Sequence, residues 1–150
     1  MVKRFLIADD DPDDVDLFLE ALSEIDTSIV CSSMKDGKEL LDTLVHQQTE
    51  SPDVIFLDIN MPEMNGWECL QQLKHNHHAK DIPVIMYSTS SAQKDVQKAI
   101  ESGALAFYEK PSNFSQLKEF LDVIAKSQSL EKEVIASQLR SRSKSHRFYI

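Results

Sequence analysis

Val54-Ile55-Phe56-Leu57 is an unbroken apolar run that opens on β-branched side chains and drives straight into a carboxylate, Asp58. A strand with one wet face alternates apolar and polar residues. An unbroken run asks for burial on both faces, the pattern of a strand inside a parallel sheet covered by helices. Asp58 then stands at the carboxyl end of that strand, followed by the turn chemistry of Asn60, Met61-Pro62 and Gly66. Open α/β sheets bind their ligands outside the carboxyl ends of their strands. For an isolated Asp a buried cap on the next helix is the preferred reading, so its neighbours decide.

Four further strands can be read. Lys3–Ala8 ends in Asp9-Asp10-Asp11, Ile82–Tyr87 ends in Ser88-Thr89-Ser90, and Leu105–Glu109 ends in Lys110-Pro111. Ser28–Ser33 ends in nothing chemically pointed. Helical patterns follow each strand. Asp11 and Pro12 supply an N-cap and a first-turn proline before Val15, Leu19, Leu22 and Ile25. The groups Leu40/Leu41/Leu44/Val45, Leu70/Leu73, Val96/Ile100 and Leu117/Phe120/Leu121/Ile124 repeat the apolar spacing, with Gly103 as a C-terminal stop for the fourth helix. Strict alternation predicts right-handed crossovers and a three-layer, doubly wound α/β fold with a five-stranded parallel sheet. Asp9, Asp10, Asp58, Ser88 and Lys110 then converge on one edge.

Carboxylates forced together either keep protons or hold a cation. A divalent ion that keeps part of its water shell, Mg²⁺, suits a site of few direct carboxylates plus a backbone oxygen. An Asp carboxylate beside Mg²⁺ can attack phosphorus and become an aspartyl phosphate. The metal, a lysine and a hydroxyl would neutralise the phosphoryl oxygens in transit, which is most of what phosphoryl transfer asks of a protein.

From about Lys3 to Lys126 these motifs resemble the receiver domains of two-component response regulators. The resemblance implies a flavodoxin-like (βα)5 fold with strand order 2-1-3-4-5. It also implies Asp58 as phosphoacceptor, Asp10 as direct Mg²⁺ ligand, Asp9 as ligand through water, and the Asn60 backbone carbonyl as a further ligand. Ser88 matches the switch hydroxyl, Phe107 the aromatic that repacks with it, and Lys110 the lysine that pairs with phosphoryl oxygens. The Lys110–Pro111 bond is expected to be cis. The implied donor is a sensor histidine kinase or histidine phosphotransfer protein, and the output is a changed surface near the fourth helix, read by a downstream protein target. Such a protein catalyses only its own phosphorylation and dephosphorylation. The opening Asp-Asp-Asp-Pro-Asp-Asp is similar to stand-alone receivers that partner phytochrome-like and other sensor kinases. Thr89 departs from the very small residue usual after the switch hydroxyl, and with Ser90 and the Asn60 side chain it is expected to tune dephosphorylation. A receiver-like scaffold with an unused acidic pocket is the alternative, with Thr89 as its only support.

Other chemistries fit less well. Asp9, Asp11, Asp13 and Glu20 match part of a calcium-loop pattern, but Asp14 stands where that loop needs Gly and Pro12 intrudes. A phosphatase needs an acid for the leaving group, which Asn60 cannot be. With 3 Gly in the whole chain, a Gly-rich phosphate loop after the first strand has no residues to build it. His75, His77 and His78 cluster without Cys or acid at zinc-ligand spacing and read as a solvated helix end.

A chain of 150 residues that is 41% hydrophobic can bury one proper core. Cys31 and Cys69 fall in predicted strand and helix and read as small hydrophobes rather than a bridge, which suits a reducing cytoplasm. Phe5–Ala8 is far too short to span a membrane or serve as a signal peptide. The net charge of −9 argues against nucleic acid, although every acid precedes Ser137 while Arg140, Arg142, Lys144 and Arg147 follow it. Residues 1–126 read as the receiver. Residues 127–150 read as an extension, a helical continuation and then a basic tail with a Phe148-Tyr149-Ile150 anchor, too short for an output domain of about 50 residues or more. Leu130, Val134, Ile135 and Leu139 form a loose apolar stripe in it. The stripe folds back on its own chain or meets a second copy in a homodimer.

Overall fold

The two-faced burial demanded by the apolar runs is met in a computed structural model, which describes residues 2–46, 50–90, 92–127, 131–142 and 148–149. Strand β1 (Arg4–Ala8), helix α1 (Pro12–Ile25), β2 (Val30–Met34), α2 (Gly37–His46) and β3 (Val54–Leu57) build one half. Helix α3 (Gly66–His75), β4 (Val84–Ser88), α4 (Gln93–Glu101), β5 (Ala106–Glu109) and α5 (Phe114–Ala125) build the other. The five parallel strands lie in the order β2-β1-β3-β4-β5.

Successive residues of each strand enter opposite layers. Phe5, Ile7, Val54, Phe56, Ile85, Tyr87, Ala106 and Tyr108 pack on one face with Phe18 of α1 and Leu117, Phe120 and Leu121 of α5. Leu6, Ile55, Leu57, Val84, Met86 and Phe107 pack on the other with Leu40 of α2, Leu70 and Leu73 of α3 and Ala99 of α4. At ~25 cal/mol per Å² of apolar surface removed from water, these two layers are the main stabilising term. Cys31 packs against the first layer and Cys69 sits in the second, so the sheet separates the two free thiols. Burial pushes both up to about 12.

Helix ends follow local chemistry. Asp11 caps α1 by accepting from the Asp13 N–H at 2.9 Å, with Pro12 as its first residue. Gly103 terminates α4 at φ +97°, a conformation that a side chain disfavours. No peptide bond among the described residues is cis, so the Lys110–Pro111 bond is trans. A tertiary amide prefers trans by about 0.5–1 kcal/mol when no contact selects the other isomer.

The extension departs from a simple helical continuation. Helix α5 ends at Ala125 with Lys126 as its C-cap, and the Lys3 ammonium clamps that end by donating to the Ala125 and Ser127 carbonyls. A separate helix α6 (Lys132–Arg142) then folds back, burying Ile135, Ala136 and Leu139. Ile135 and Leu139 join the α1/α5 layer, so these two residues of the apolar stripe are covered by their own chain, while Val134 is half-buried. Leu130, Lys144, Arg147 and Ile150 lie outside the described residues. A short strand β6 (Phe148–Tyr149) pairs antiparallel with β5, adding a sixth strand beyond the five expected. Two residues carry no periodicity, so nothing in the sequence announced it.

Because Leu139 is buried at 1% exposure, Leu139→Ala is expected to lower the unfolding free energy by about 2–4 kcal/mol. Urea denaturation would show a lower midpoint at an unchanged slope. Ser137→Ala, on the exposed side of the same helix, should stay within about 0.5 kcal/mol. Equal midpoints for the two variants would mean that α6 is not docked.

Candidate functional site

Strand register brings the acids together. Ala8 pairs with Leu57, and the next residues, Asp9 and Asp58, leave the sheet side by side. The Asp58 N–H donates to the Ala8 carbonyl at 2.9 Å, and the Asp9 N–H donates to the Met34 carbonyl at 2.9 Å. One carboxylate oxygen each from Asp9, Asp10 and Asp58 lies within 4.8 Å of the others. Asp9 and Asp58 are buried, while Asp10 is exposed.

The loop after Asp58 is shaped by contact with the acceptor's own backbone. The Gly66 N–H donates to the Ile59 carbonyl at 2.7 Å, and a Cβ at Gly66 would stand 2.1 Å from the Asp58 carbonyl oxygen. Only glycine allows so close an approach, which accounts for Gly66 in the motif. Asn65 then caps α3 by accepting from the Glu68 N–H at 2.9 Å.

Lys110 projects from the end of β5 into the acids. Its own N–H donates to the Ser88 carbonyl at 2.7 Å, holding it beside the end of β4. Its Nζ lies 2.8 Å from Asp14 Oδ2, 2.7 Å from Asp9 Oδ2 and 3.7 Å from Asp58 Oδ2. The bond to Asp14 is aligned, whereas Asp9 Oδ2, although close to the ammonium, accepts no aligned hydrogen bond and is buried. Burial pulls the Lys110 ammonium down, and Asp14, Asp9 and Asp58 outweigh it and hold the group above its usual value. Asp9 is raised, chiefly by burial, with Lys110 opposing. Asp58 is pushed up to about 7 by burial first and then by Asp9, against the pull of Lys110 and of the Ile59 N–H.

Strand alternation sorts the remaining residues. Ser88 is fully buried and its Oγ accepts from the Ser90 N–H at 3.2 Å. Phe107 is fully buried in the α2/α3/α4 layer with Met86 and Ala99. The Ser90 hydroxyl donates to Asp95 Oδ2 at 2.6 Å and accepts from the Ala92 N–H, so it ties the β4 end to the start of α4. Asn60 and Thr89 are exposed. His75 binds the Gln71 carbonyl through Nδ1, and His77 and His78 are exposed with ring centroids 6.4 Å apart. Among the described residues they belong to no metal-ligating group.

Asp14 carried no role of its own in the sequence, where it stands in the Asp-Asp-Asp-Pro-Asp-Asp opening and as the misplaced sixth residue of a calcium loop. It stands in the first turn of α1, and no local pattern ties it to Lys110, 96 residues on.

The donor set fits a hard divalent cation. All three ligating groups are carboxylate oxygens, and a buried Asp9 oxygen lacks an aligned donor.

A family model for the response regulator receiver domain matches residues 5–122, and the chain belongs to that family, the phosphorylation-based receivers of two-component systems. Its fold is similar to the crystal structure of the phosphorylated cyanobacterial phytochrome response regulator RcpA, with a TM-score of 0.78 at 28% identity, covering 84% of this chain and 93% of that one. The Mn²⁺-bound form of response regulator Rcp1 is similar at a TM-score of 0.71 and 30% identity, over 81% of this chain and 91% of that one. A curated relative, the "Probable cyclic di-GMP phosphodiesterase" of Vibrio cholerae, is 35% identical over 75% of this chain but only 24% of its own length. The chain thus spans about a quarter of that relative. No helix among the described residues is long and apolar enough to cross a membrane.

The raised Asp58 makes stability depend on pH. Between its ordinary value of 3.8 and about 7 the folded chain keeps a proton that the unfolded chain has released. Stability therefore falls as pH rises through that window. Asp58→Asn should stabilise the metal-free protein at pH 8, on the order of 2 kcal/mol, and much less near pH 4. Thermal melts at the two pH values would show it, and a gain as large at pH 4 would assign it to another cause.

Proposed function

We propose that this receiver accepts a phosphoryl group on Asp58 from a phosphorylated histidine of a sensor kinase or phosphotransfer protein, in a Mg²⁺-dependent step. The observation that carries this reading is the placement of the Asp58 carboxylate within 4.8 Å of Asp9 and Asp10 oxygens and 3.7 Å from the Lys110 ammonium. A nucleophile, a hard-cation donor set and a phosphoryl-pairing cation share one edge of the sheet.

Asp58 Oδ1 accepts from the Ile59 N–H at 2.9 Å, which leaves Oδ2 facing Lys110. An Asp58 oxygen attacks phosphorus, the P–N bond breaks, and the imidazole leaves with the electron pair. Asp9, Asp10, Asp58 and the Asn60 backbone carbonyl would hold Mg²⁺, Asp9 through water. Bound there, the cation would offset carboxylate repulsion and the charge of the phosphoryl oxygens. Lys110 pairs with those oxygens. Water attack at phosphorus later returns the carboxylate and releases phosphate, with Asn60, Thr89 and Ser90 around the approach setting the rate. The chain turns over no external substrate.

Ser88 and Phe107 lie on the α4 side of the sheet. Movement of the Ser88 hydroxyl toward the phosphoryl group would open space for Phe107 to repack and so alter the surface at α4 that a downstream protein reads. A ligand shifts such an equilibrium only through contacts that differ between the states, and Ser88 and Lys110 supply them. We read residues 1–126 as the receiver and 127–150 as its extension. A stand-alone mode of action is supported by similarity to RcpA and Rcp1, whose chains this one covers to 93% and 91%, and a cytoplasmic one by the free thiols of Cys31 and Cys69.

Intact mass after incubation with Mg²⁺ and acetyl phosphate should show one added phosphoryl group. Asp58→Asn and a metal-free sample should show none. Ser88→Ala should still be modified but lose the surface change, read as amide shifts confined to the site rather than extending to α4. No addition to the wild-type chain, from acetyl phosphate or from a phosphohistidine donor, would sink the reading in favour of a binding-only scaffold.

A further inference from the structure

Lys110 is held by two acids, Asp9 Oδ2 at 2.7 Å and Asp14 Oδ2 at 2.8 Å, and of these Asp14 lies outside the group of acids around the acceptor. Its aligned hydrogen bond goes to Asp14 Oδ2 at 2.8 Å, while Asp58 Oδ2 is 3.7 Å away. The ammonium also lies 5.3 Å from the centroid of the Tyr87 ring, on the α1/α5 face of the sheet. The Lys110 side chain is 9% exposed and that of Asp14 30%, so the pair is sheltered from water. Asp14 of α1 and the Tyr87 ring thus line the side of the ammonium, which stands nearer Asp14 and Asp9 than Asp58.

We propose that Asp14 is a positioning residue that holds Lys110 in the resting state and so sets how readily the site takes up a phosphoryl group. The proposal rests on the reading of Asp58 as acceptor. An ammonium has three protons to give, and a phosphoryl group on Asp58 would compete with Asp14 for them. A contact made in the resting state and weakened in the loaded one biases the equilibrium toward rest by its own differential energy. Charge-assisted hydrogen bonds are the stronger kind, and partial burial protects this one from screening. The plainer role for Asp14 is an acid in the first turn of α1, where it favours the helix dipole. Asp13 occupies the same turn with the same charge and makes no ion pair among the described residues. That neighbour separates the two roles.

The test is a calorimetric titration of the full chain with beryllium fluoride, a phosphoryl mimic, in saturating Mg²⁺. Wild type, Asp14→Asn, Asp14→Ser, Asp14→Glu and Asp13→Asn are compared, each checked for folding by circular dichroism. Either neutral variant at Asp14 should bind about fivefold more tightly than Asp13→Asn, which reports the effect of charge and helix dipole alone. Asp14→Glu, able to reach Lys110 again, should return toward the wild-type value. In a Lys110→Ala background the difference between Asp14→Asn and Asp13→Asn should vanish, because the effect acts through the lysine. Equal affinities for the neutral Asp14 variants and Asp13→Asn would overturn the proposal, as would a difference that survives Lys110→Ala. If the wild-type chain neither binds beryllium fluoride nor takes a phosphoryl group from acetyl phosphate, it is the acceptor reading that fails. If the wild type binds and the variants do not differ, only the role of Asp14 falls.

Discussion

Pairing β1 with β3 in one register places two carboxylates where neither can escape the other. Ala8 lies opposite Leu57, so Asp9 and Asp58 leave the sheet as neighbours, each anchored by its own backbone N–H. The surrounding structure answers that crowding. Lys110 arrives from β5 and is kept beside β4 by its bond to the Ser88 carbonyl. Gly66 lets the loop after Asp58 fold against the Asp58 backbone rather than away from it.

Burying the two acids side by side costs electrostatic free energy. Asp9 and Asp58 are both raised, burial being the largest cause for each, so the folded chain gives up solvation of charge that an unfolded chain would keep. The two apolar layers offset this cost, and burial reaches the last strand residues, Ala8, Leu57 and Ser88 being fully buried. A pocket of this kind binds a cation or a proton for the same physical reason. Either ligand removes the repulsion between the carboxylates.

Much of the site was legible in the sequence because its chemistry sits at strand ends. An apolar run followed by a charge locates the strand terminus to within a residue or two, and parallel topology then gathers all such termini on one edge. Asp9, Asp10, Asp58, Ser88 and Lys110 were found that way. Asp14 was not, since its contact with Lys110 depends on how α1 is rotated and where the lysine stem runs. Ser90 is similar: its bond to Asp95 joins two elements whose relative placement no local pattern encodes. The extension was legible only in part, because Ile135 and Leu139 form a stripe that asks for cover without naming what covers it.

By itself, the order of residues determined the five alternating units, the parallel sheet, the caps at Asp11 and Gly103, and the identity of the acids at the carboxyl edge. Those features arise from local backbone preferences and from the period of apolar side chains, which act over a few residues. Tertiary structure alone decided that Lys110 rests against Asp14 and Asp9 rather than Asp58 and that α6 closes over the α1/α5 layer. It also decided that β6 pairs with β5. These are contests among partners far apart in the chain. Their outcome turns on distances of about an ångström, which only the packed fold sets.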